Sequence, residues 1–292
     1  MTHPRDLLAG AEARLADGGV ESPEHDARAL LAFVVGVDPG RLPLVREVTR
    51  EQVAAYDELV TRRAAREPLQ HLTGVAHFRR VELLVGPGVF VPRPETELLA
   101  GWAIEQAKVM VSTGSTDGAG STDAPVVVDL GTGSGAIAKA IAQEVPSAGV
   151  HAVELEESAH AFAARNLAGT GVDLRRGDLA EAFDDLLGRV DIVVSNPPYI
   201  PHEAWESVAV EVRDHDPDLA LYATGDGLDM IRVVEQRAAL LLRPGGVVGV
   251  EHADVQGAAA PAVFTASGRW DRVRDHEDLT GRPRFLTARL AR

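Results

Sequence analysis

The first 70 residues place apolar side chains at helical spacing. Residues 5–16 present one apolar face, which predicts a first helix. Ser22-Pro23 predicts the start of a second, because serine caps helix N-termini and proline fits the first turn. Thr49-Arg50-Glu51-Gln52 has capping-box spacing and predicts the start of a third. The pattern therefore predicts a small N-terminal helical domain over residues 1–72.

Beyond this region the pattern changes to strands and then to alternating strands and helices. A β-hairpin with strands at 75–78 and 81–85 is predicted within a linking segment, residues 73–92. Across residues 93–292, short apolar runs alternate with amphipathic stretches, which predicts an α/β domain with a mostly parallel sheet. Its predicted strands cover 126–130, 149–153, 172–175, 190–195, 247–251, 270–274 and 285–290, and its predicted helices cover 98–104, 136–143, 157–167, 228–242 and 255–264.

Two stretches of this domain lack a regular apolar pattern. Residues 112–124 are rich in glycine, serine and threonine, which predicts a flexible surface loop. Residues 200–226 predict a long loop with short helices lying over the ligand site.

Composition narrows the class of protein. The chain is 45% hydrophobic and 25% charged, as in ordinary globular proteins, and no apolar run approaches the roughly 20 residues of a membrane-spanning helix. No signal-peptide pattern stands at the N-terminus, so cytoplasmic residence is expected. The chain has no cysteine, which excludes disulfides, thiolate metal sites and cysteine nucleophiles.

Charge argues against nucleic acid as the main partner. The net charge is −15, of which −2 falls on residues 1–92 and −13 on residues 93–292. Proteins that bind nucleic acid need a positive surface to neutralise phosphates. We therefore expect no direct nucleic-acid partner.

The most informative stretch is Asn196-Pro197-Pro198-Tyr199, which directly follows the strand predicted at 190–195. Ligands of open α/β sheets bind at the carboxyl ends of strands. Prolines stiffen the turn and, lacking N–H groups, leave carbonyls free to accept hydrogen bonds. An asparagine oxygen, a backbone carbonyl and a tyrosine face suit a planar –NH2 group. A rigid loop that merely packs Tyr199 into the core is the structural alternative.

Two further stretches are typical of a nucleotide-like ligand. Gly131-Thr132-Gly133-Ser134-Gly135 follows a buried strand that ends in Asp129-Leu130, and glycines allow a ligand to approach the backbone. Glu154 ends the next strand, where an acid can accept hydrogen bonds from ribose hydroxyls. Asp178 ends a third, where it could meet an adenine amino group or serve equally well as a loop cap. A tight structural turn is the alternative for the glycines.

Other chemistries find little support. The ten histidines are scattered without a metal-ligand pattern, so no metal is expected, and His252 is interpreted as structural. The sequence contains neither a Gly-x-Ser-x-Gly nucleophile elbow nor a phosphate-binding loop that ends in Gly-Lys-Ser/Thr.

Together these stretches carry a family resemblance. Asp129 to Gly135 looks like motif I of S-adenosylmethionine-dependent methyltransferases, and Asn196 to Tyr199 is similar to the motif of enzymes that methylate amide or exocyclic nitrogens. Residues 67–74 (EPLQHLTG), residues 91–97 (VPRPETE) and the helical N-terminus narrow the resemblance to the bacterial release-factor glutamine methyltransferase family. Residues 225–227, 251–252 and 281–284 also match, so the resemblance covers nearly the whole chain.

The resemblance implies a class I methyltransferase fold, Rossmann-like with a mostly parallel seven-stranded sheet, in residues 93–292. Because the Asn-Pro-Pro-Tyr motif can read only one side chain, residues 1–72 are expected to supply much of the surface that recognises the protein substrate. The implied reaction transfers methyl from S-adenosylmethionine, leaving S-adenosylhomocysteine, to the N5 amide of the glutamine in the Gly-Gly-Gln loop of class I peptide release factors, with an effect on translation termination.

The resemblance also assigns residues to the sites. Asn196, Pro197 and Tyr199 are the expected catalytic residues, and with Pro198 and Phe90 they form the expected substrate pocket. Leu179 stands where the family often has tryptophan, which bears on adenine stacking, and Glu154 stands where it often has aspartate. The expected cofactor-binding residues are Asp129, Gly131, Thr132, Gly133, Ser134, Gly135, Glu154, Asp178, Leu179 and Asn196.

Three other functions fit parts of the sequence. A DNA or RNA amino-methyltransferase would share the asparagine motif and the cofactor site, but it would need a basic surface. A dehydrogenase would need a different glycine spacing, and a non-catalytic binding module would not need Asn196. A monomer with no membrane partner is expected.

Overall fold

The structure is a computed structural model that describes residues 2–113, 124–201, 210–223 and 225–291. The chain divides into two compact units. One comprises Met1–Val75 with Val208–Asp216, and the other comprises Ala76–Ser207 with Pro217–Arg292.

The first unit is helical, as predicted. Thr49 caps its third helix with the predicted capping box. The Thr49 hydroxyl accepts from the Gln52 amide, and the Gln52 side chain accepts from the Thr49 amide. Leu15, Leu30 and Leu31 are fully buried in its core. A short fourth helix was not predicted. The helices are α1 (Pro4–Asp17), α2 (Pro23–Val35), a 3-10 helix (Pro39–Leu44), α3 (Arg50–Ala64) and α4 (Leu69–Thr73).

A nearly buried ionic cluster joins a distant segment to this unit. Arg63 pairs with Asp26 at 2.7 Å and with Glu211 at 3.1 Å, and Arg66 pairs with the same Glu211 at 2.6 Å. Glu211 belongs to the short helix Val210–His215, which comes after the motif loop in the sequence. Two arginines thus hold the returning chain against the N-terminal helices.

The predicted hairpin consists of β1 (Val75–Phe78) and β2 (Val81–Leu84), which pair with each other. Its buried residues Phe78 and Leu83 join the hydrophobic core of the second unit. The hairpin is therefore attached to the α/β unit by apolar packing.

The second unit is built on a seven-stranded sheet of order β10-β11-β9-β6-β3-β4-β5. Strands β3, β4, β5, β6 and β9 run parallel, and β11 is antiparallel to both β9 and β10. This is the mostly parallel sheet that the sequence predicts. The strands are β3 (Val126–Leu130), β4 (Gly149–Glu154), β5 (Asp173–Arg176), β6 (Val190–Ser195), β9 (Leu242–Glu251), β10 (Trp270–Glu277) and β11 (Pro283–Leu290).

Helices cover both faces of this sheet. Alternate residues of β6 explain why: Ile192 and Val194 enter one core cluster, and Val193 enters the other. α5, α6 and α7 contact strands on one side, and α10 and α11 contact strands on the other. These helices are α5 (Thr96–Thr113), α6 (Ala136–Glu144), α7 (Glu157–Leu167), α10 (Asp229–Leu241) and α11 (Ala259–Ser267). No helix in the described ranges is long and apolar enough to cross a membrane.

Several predicted boundaries were wrong. α5 runs to Thr113, so Ser112 and Thr113 are helical, while 114–123 of the predicted loop lie outside the described residues. β9 begins at Leu242, because the Arg243-Pro244-Gly245-Gly246 stretch is a bulge within the strand and not a turn before it. Between 200 and 226 the described residues form α8 (Val210–His215), α9 (Asp218–Leu221) and the paired two-residue strands β7 (Ile200–Pro201) and β8 (Tyr222–Ala223).

Candidate active site

Register aligns the predicted site stretches at one edge of the sheet. Four residues lie level on the neighbouring strands β4, β3, β6 and β9, and the residue after each begins the site edge. Neighbouring strands lie about 4.8 Å apart, so these stretches are brought together by the sheet itself. The level residues are Val153, Leu130, Ser195 and Val250, and those that follow are Glu154, Gly131, Asn196 and Glu251.

The glycine turn folds tightly over the end of β4. The amides of Gly131 and Thr132 both donate to the Val153 carbonyl, at 3.1 and 2.9 Å. Gly133 has a φ of +58°, a left-handed conformation that favours glycine, and a Cβ built on it would meet no atom within 4 Å. The turn therefore offers open space directly above its backbone.

Glu154 ties this turn to the next helix. One carboxylate oxygen accepts from the Gly133 amide at 2.8 Å, and the other accepts from the Glu156 amide at 2.9 Å. Each oxygen keeps a second lone pair, so the carboxylate can still accept hydrogen bonds from a ligand.

Asp129 is fully buried beneath the same turn. Its Oδ2 accepts from the Thr132 hydroxyl at 2.6 Å and from the Ala138 amide at 3.2 Å, whereas its Oδ1 has no hydrogen-bond partner in the described parts of the chain. Burial raises the pKa of Asp129 to about 7, against the lowering effect of these hydrogen bonds. Asp129 thus holds the turn in place and keeps one acceptor unused.

This raised pKa predicts a pH-dependent stability. Because folded Asp129 holds its proton up to a higher pH than the unfolded chain does, its contribution to stability is complete below about 4 and is lost as the pH rises through about 7. We therefore expect Asp129→Asn to gain stability relative to wild type at pH 8 compared with pH 5, by up to about 3 kcal/mol. Thermal unfolding of both ligand-free proteins at the two pH values measures this, and an equal difference at both values would refute it.

Asp178 and Leu179 lie beside the turn. Asp178 accepts from the Ala180 amide at 2.8 Å, which is the contact expected if this residue serves as a loop cap. Gly177 donates to the Glu154 carbonyl at 3.0 Å, which places this segment next to β4. Leu179 is buried, and its Cδ2 would lie 3.7 Å from a Cβ on Gly131. Leu179 thus gives the turn an apolar neighbour, and a role for either residue toward adenine stays a prediction.

Asn196 is held by a residue that lies 100 positions earlier in the chain. Its Nδ2 donates to Thr96 Oγ1 at 3.2 Å, at the first residue of α5. Ser195, just before it, donates its hydroxyl to the Leu130 carbonyl at 2.7 Å and ties the ends of β6 and β3 together. Pro197 is buried and Pro198 is half-buried.

Tyr199 is anchored at both its side chain and its backbone. Its hydroxyl donates to Glu251 Oε1 at 3.2 Å, and its carbonyl accepts from Gln256 Nε2 at 3.2 Å. Burial and the Glu251 charge keep the Tyr199 pKa well above its ordinary value, so the phenol stays neutral and remains a donor.

The remaining candidate, Phe90, lies in the segment after the hairpin. The guanidinium carbon of Arg93 lies 5.1 Å from the centre of its ring. Its role in a substrate pocket stays a prediction. His252 is fully buried between the Ala253 carbonyl and Asp275, at 2.9 and 2.8 Å, which fits a structural role.

Thr96 and Glu251 are site residues that the sequence pattern did not indicate. Thr96 lies just before the helix predicted at 98–104, and Glu251 entered only through the family match at residues 251–252. Neither residue could be linked to Asn196 from spacing, because the sheet order places Glu251 beside it and the packing of α5 places Thr96 beside it. The available signal was an acid at the end of a predicted strand, the same signal that identified Glu154.

Among the described residues, neither the possible metal ligands nor the cavity described below indicates a different active site. Within the described ranges, no group of three or more histidine and acidic side chains could hold a metal ion. The absence of a metal requirement stays a prediction. A cavity of about 260 Å³ lies against α5, β9, β10 and β11 and is lined by Trp102, Arg272, Arg274 and Arg289 among others; no predicted site residue lines it.

Comparisons with known proteins agree on a family. Residues 6–74 match the model of the PrmC N-terminal domain, and residues 109–214 match that of the Methyltransferase small domain. The release factor glutamine methyltransferase of Streptomyces coelicolor is 56% identical over 284 residues, which is 97% of each chain.

Two further proteins resemble this chain, one in sequence and the other in fold. The 4-amino-L-phenylalanine/4-methylamino-L-phenylalanine methyltransferase of Streptomyces pristinaespiralis is 42% identical over 265 residues, 90% of this chain and 87% of that protein. The crystal structure of the hMettl16 catalytic domain in complex with MAT2A 3′UTR hairpin 6 has a TM-score of 0.52, is 14% identical, and covers 72% of this chain and 75% of that chain. This last likeness supports the fold alone.

Proposed function

The chain belongs to the release factor glutamine methyltransferase family, and from this premise we propose that it transfers a methyl group from S-adenosylmethionine to the N5 amide of the glutamine in the Gly-Gly-Gln loop of class I release factors. The observation that carries the proposal is the 56% identity over 97% of the chain to a protein of that name. S-adenosylhomocysteine is the second product, and the methylated factor acts in translation termination.

The cofactor positions fit a ligand of this chemistry. The unused Oδ1 of buried Asp129 can accept from a cationic amino group, and the Glu154 carboxylate can accept from ribose hydroxyls. The open backbone at Gly133 leaves room for close approach. We assign cofactor binding to Asp129, Gly131, Thr132, Gly133, Ser134, Gly135, Glu154, Asp178, Leu179 and Asn196.

The chain's main task is to make a weak nucleophile reactive. When bound, S-adenosylmethionine supplies an electrophilic methyl group on a positively charged sulfur. A glutamine amide nitrogen attacks poorly, because its lone pair is delocalised into its own carbonyl. The Asn196 side-chain oxygen and the Pro197 carbonyl accept hydrogen bonds from the two N–H groups of the glutamine amide and so orient its lone pair. Such alignment supplies up to roughly 7–11 kcal/mol in favourable cases.

The other motif residues shield and shape the pocket. The Tyr199 ring, fixed through its hydroxyl, packs against the substrate amide and excludes water, and Pro198 and Phe90 complete the wall. The nitrogen loses its proton after methyl transfer, when it has become acidic, so no residue needs to be a strong general base.

We propose that the N-terminal helical unit recognises the rest of the release factor. The catalytic motif holds one side chain, which is too little to select one protein among many. The family match over residues 6–74 and the ionic attachment of Glu211 to Arg63 and Arg66 support this assignment. A whole release factor should therefore have a lower KM than a short Gly-Gly-Gln peptide.

A direct methylation assay tests the function. We expect labelled S-adenosylmethionine to label a purified class I release factor but not its variant in which the loop glutamine is alanine. Parallel reactions contain DNA, RNA and 4-amino-L-phenylalanine. The last is included because of the 42% identity to an enzyme named for that amine.

Each result of this assay has a definite meaning. Label on the glutamine variant would place the modification elsewhere, and label on nucleic acid would favour the amino-methyltransferase alternative. Label on the free amine alone would assign a small-molecule substrate. The acidic charge of the chain makes the nucleic-acid result the least expected.

A further inference from the structure

A buried carboxylate lies beside the catalytic motif on the adjacent strand. Glu251 follows Val250, which is paired with Ser195, so Glu251 and Asn196 are neighbours at the edge of the sheet. Glu251 is 2% exposed, and its Oε2 has no hydrogen-bond partner within the described residues. A buried charge of this kind is costly unless nearby donors compensate it.

Two hydroxyl groups supply that compensation. The Tyr199 hydroxyl donates to Glu251 Oε1 at 3.2 Å, and hydrogen bonding by the Thr96 side chain lowers the pKa of Glu251. The same Thr96 oxygen lies 3.2 Å from Asn196 Nδ2. Both polar side chains of the motif therefore lead to one carboxylate, Tyr199 directly and Asn196 through Thr96.

The hydrogen-bonding capacities of these groups determine how Asn196 is oriented. An ionised carboxylate only accepts hydrogen bonds, so the single proton of Thr96 must point toward Glu251. Thr96 then has only lone pairs left for Asn196. The asparagine amide must present its NH2 end to Thr96, which turns Oδ1 the other way.

We propose that Glu251 and Thr96 are positioning residues that hold the Asn196 amide with its nitrogen toward Thr96 and its oxygen toward the substrate. This inference rests on the methyl transfer proposed above, because the oxygen is the atom that accepts from the substrate amide. With the asparagine turned over, an NH2 group would face the substrate NH2 group, and neither could accept.

The charge of Glu251 controls this constraint. Burial, with a smaller contribution from the nearby Glu95, raises its pKa to about 7 against the lowering effects of Thr96, Tyr199 and Arg284. A protonated Glu251 can donate to Thr96, which frees the Thr96 hydroxyl to rotate and donate to the asparagine oxygen. At saturating cofactor, kcat is therefore expected to fall as the pH decreases through about 7.

Substitutions of Thr96 test the relay. Thr96→Val keeps the shape and removes the hydroxyl, and we expect kcat to fall about 10²-fold, with the dissociation constant for S-adenosylmethionine within about threefold of wild type. Thr96→Ser keeps the hydroxyl and should stay within about threefold of wild type in kcat. Thr287→Val is a matched control: it also removes a buried hydroxyl, 2.8 Å from His276 Nε2, and should leave kcat unchanged.

Glu251→Gln tests the role of charge. The glutamine amide can donate to Thr96 as a protonated acid does, so at pH 8 we expect kcat to be about 10²-fold below wild type. The acid limb of the wild-type pH profile should be absent in this variant. A residue that only supported the fold would change stability without removing that limb.

The outcomes separate this inference from the proposed function. A wild-type protein that labels no release factor would refute the function itself. An active wild type together with a Thr96→Val kcat within threefold would overturn the positioning role. Loss of cofactor binding in Thr96→Val, or an unchanged acid limb in Glu251→Gln, would overturn it equally.

Discussion

Asn196→Ala is expected to lower kcat for release-factor methylation by about 10³-fold or more, while binding of S-adenosylmethionine stays measurable. The substitution removes the side-chain oxygen that accepts from the substrate nitrogen, and the Pro197 carbonyl alone cannot orient the lone pair. Single-turnover methylation of a purified release factor measures the rate, and calorimetric titration measures cofactor affinity.

Asn196→Asp is the informative companion variant. Aspartate keeps the size and the acceptor oxygens, but it cannot donate to Thr96, and it places a second carboxylate near Glu251. We expect it to be nearly as inactive as alanine, since Thr96 has one proton for two carboxylates. Methylation by Asn196→Ala at more than a tenth of the wild-type rate would contradict the catalytic assignment.

Much of the fold follows from local sequence patterns. The helix-start signals at Ser22-Pro23 and Thr49 and the apolar run at 190–195 predict elements that the structure confirms, because these signals act over a few residues. The expected cap at Ser22 is not formed: its side chain makes no capping hydrogen bond, whereas that of Thr49 does. The bulge in β9 was not predicted, since Pro244-Gly245-Gly246 has the composition of a turn and the predicted strand begins only at residue 247. Only the pairing of Leu242 with Val190 of β6 shows that the strand continues through it.

The residues of the site likewise divide into those that local sequence patterns indicate and those that only tertiary packing brings there. The glycine turn, Glu154 and Asn196 each follow a recognisable strand, so their convergence could be predicted once a parallel sheet was assumed. Thr96 could not be assigned in this way, because it touches Asn196 across 100 residues. Its sequence context is only that of a polar residue at a helix start. The contact depends on the packing of α5 against β6 and β9, two strands that lie far from it in the sequence.

Glu154→Ala is expected to weaken binding of S-adenosylmethionine by about 10²-fold or more. The carboxylate is proposed to accept from the ribose hydroxyls, and hydrogen bonds to a charged group contribute about 1.5–3 kcal/mol each. It also accepts the Gly133 and Glu156 amides, so the variant loses the link that holds the glycine turn to β4 and α7. Calorimetric titration of cofactor into the folded variant measures the loss.

Glu154→Asp separates the two contributions of this carboxylate. Aspartate retains the charge and the acceptor oxygens at a shorter reach, so we expect affinity within about tenfold of wild type. Glu154→Gln keeps the length but loses the charge and one acceptor, and it should fall between aspartate and alanine. If the Glu154→Ala variant bound S-adenosylmethionine as tightly as the wild type, the carboxylate would only hold the glycine turn in place. Another group would then have to bind the ribose.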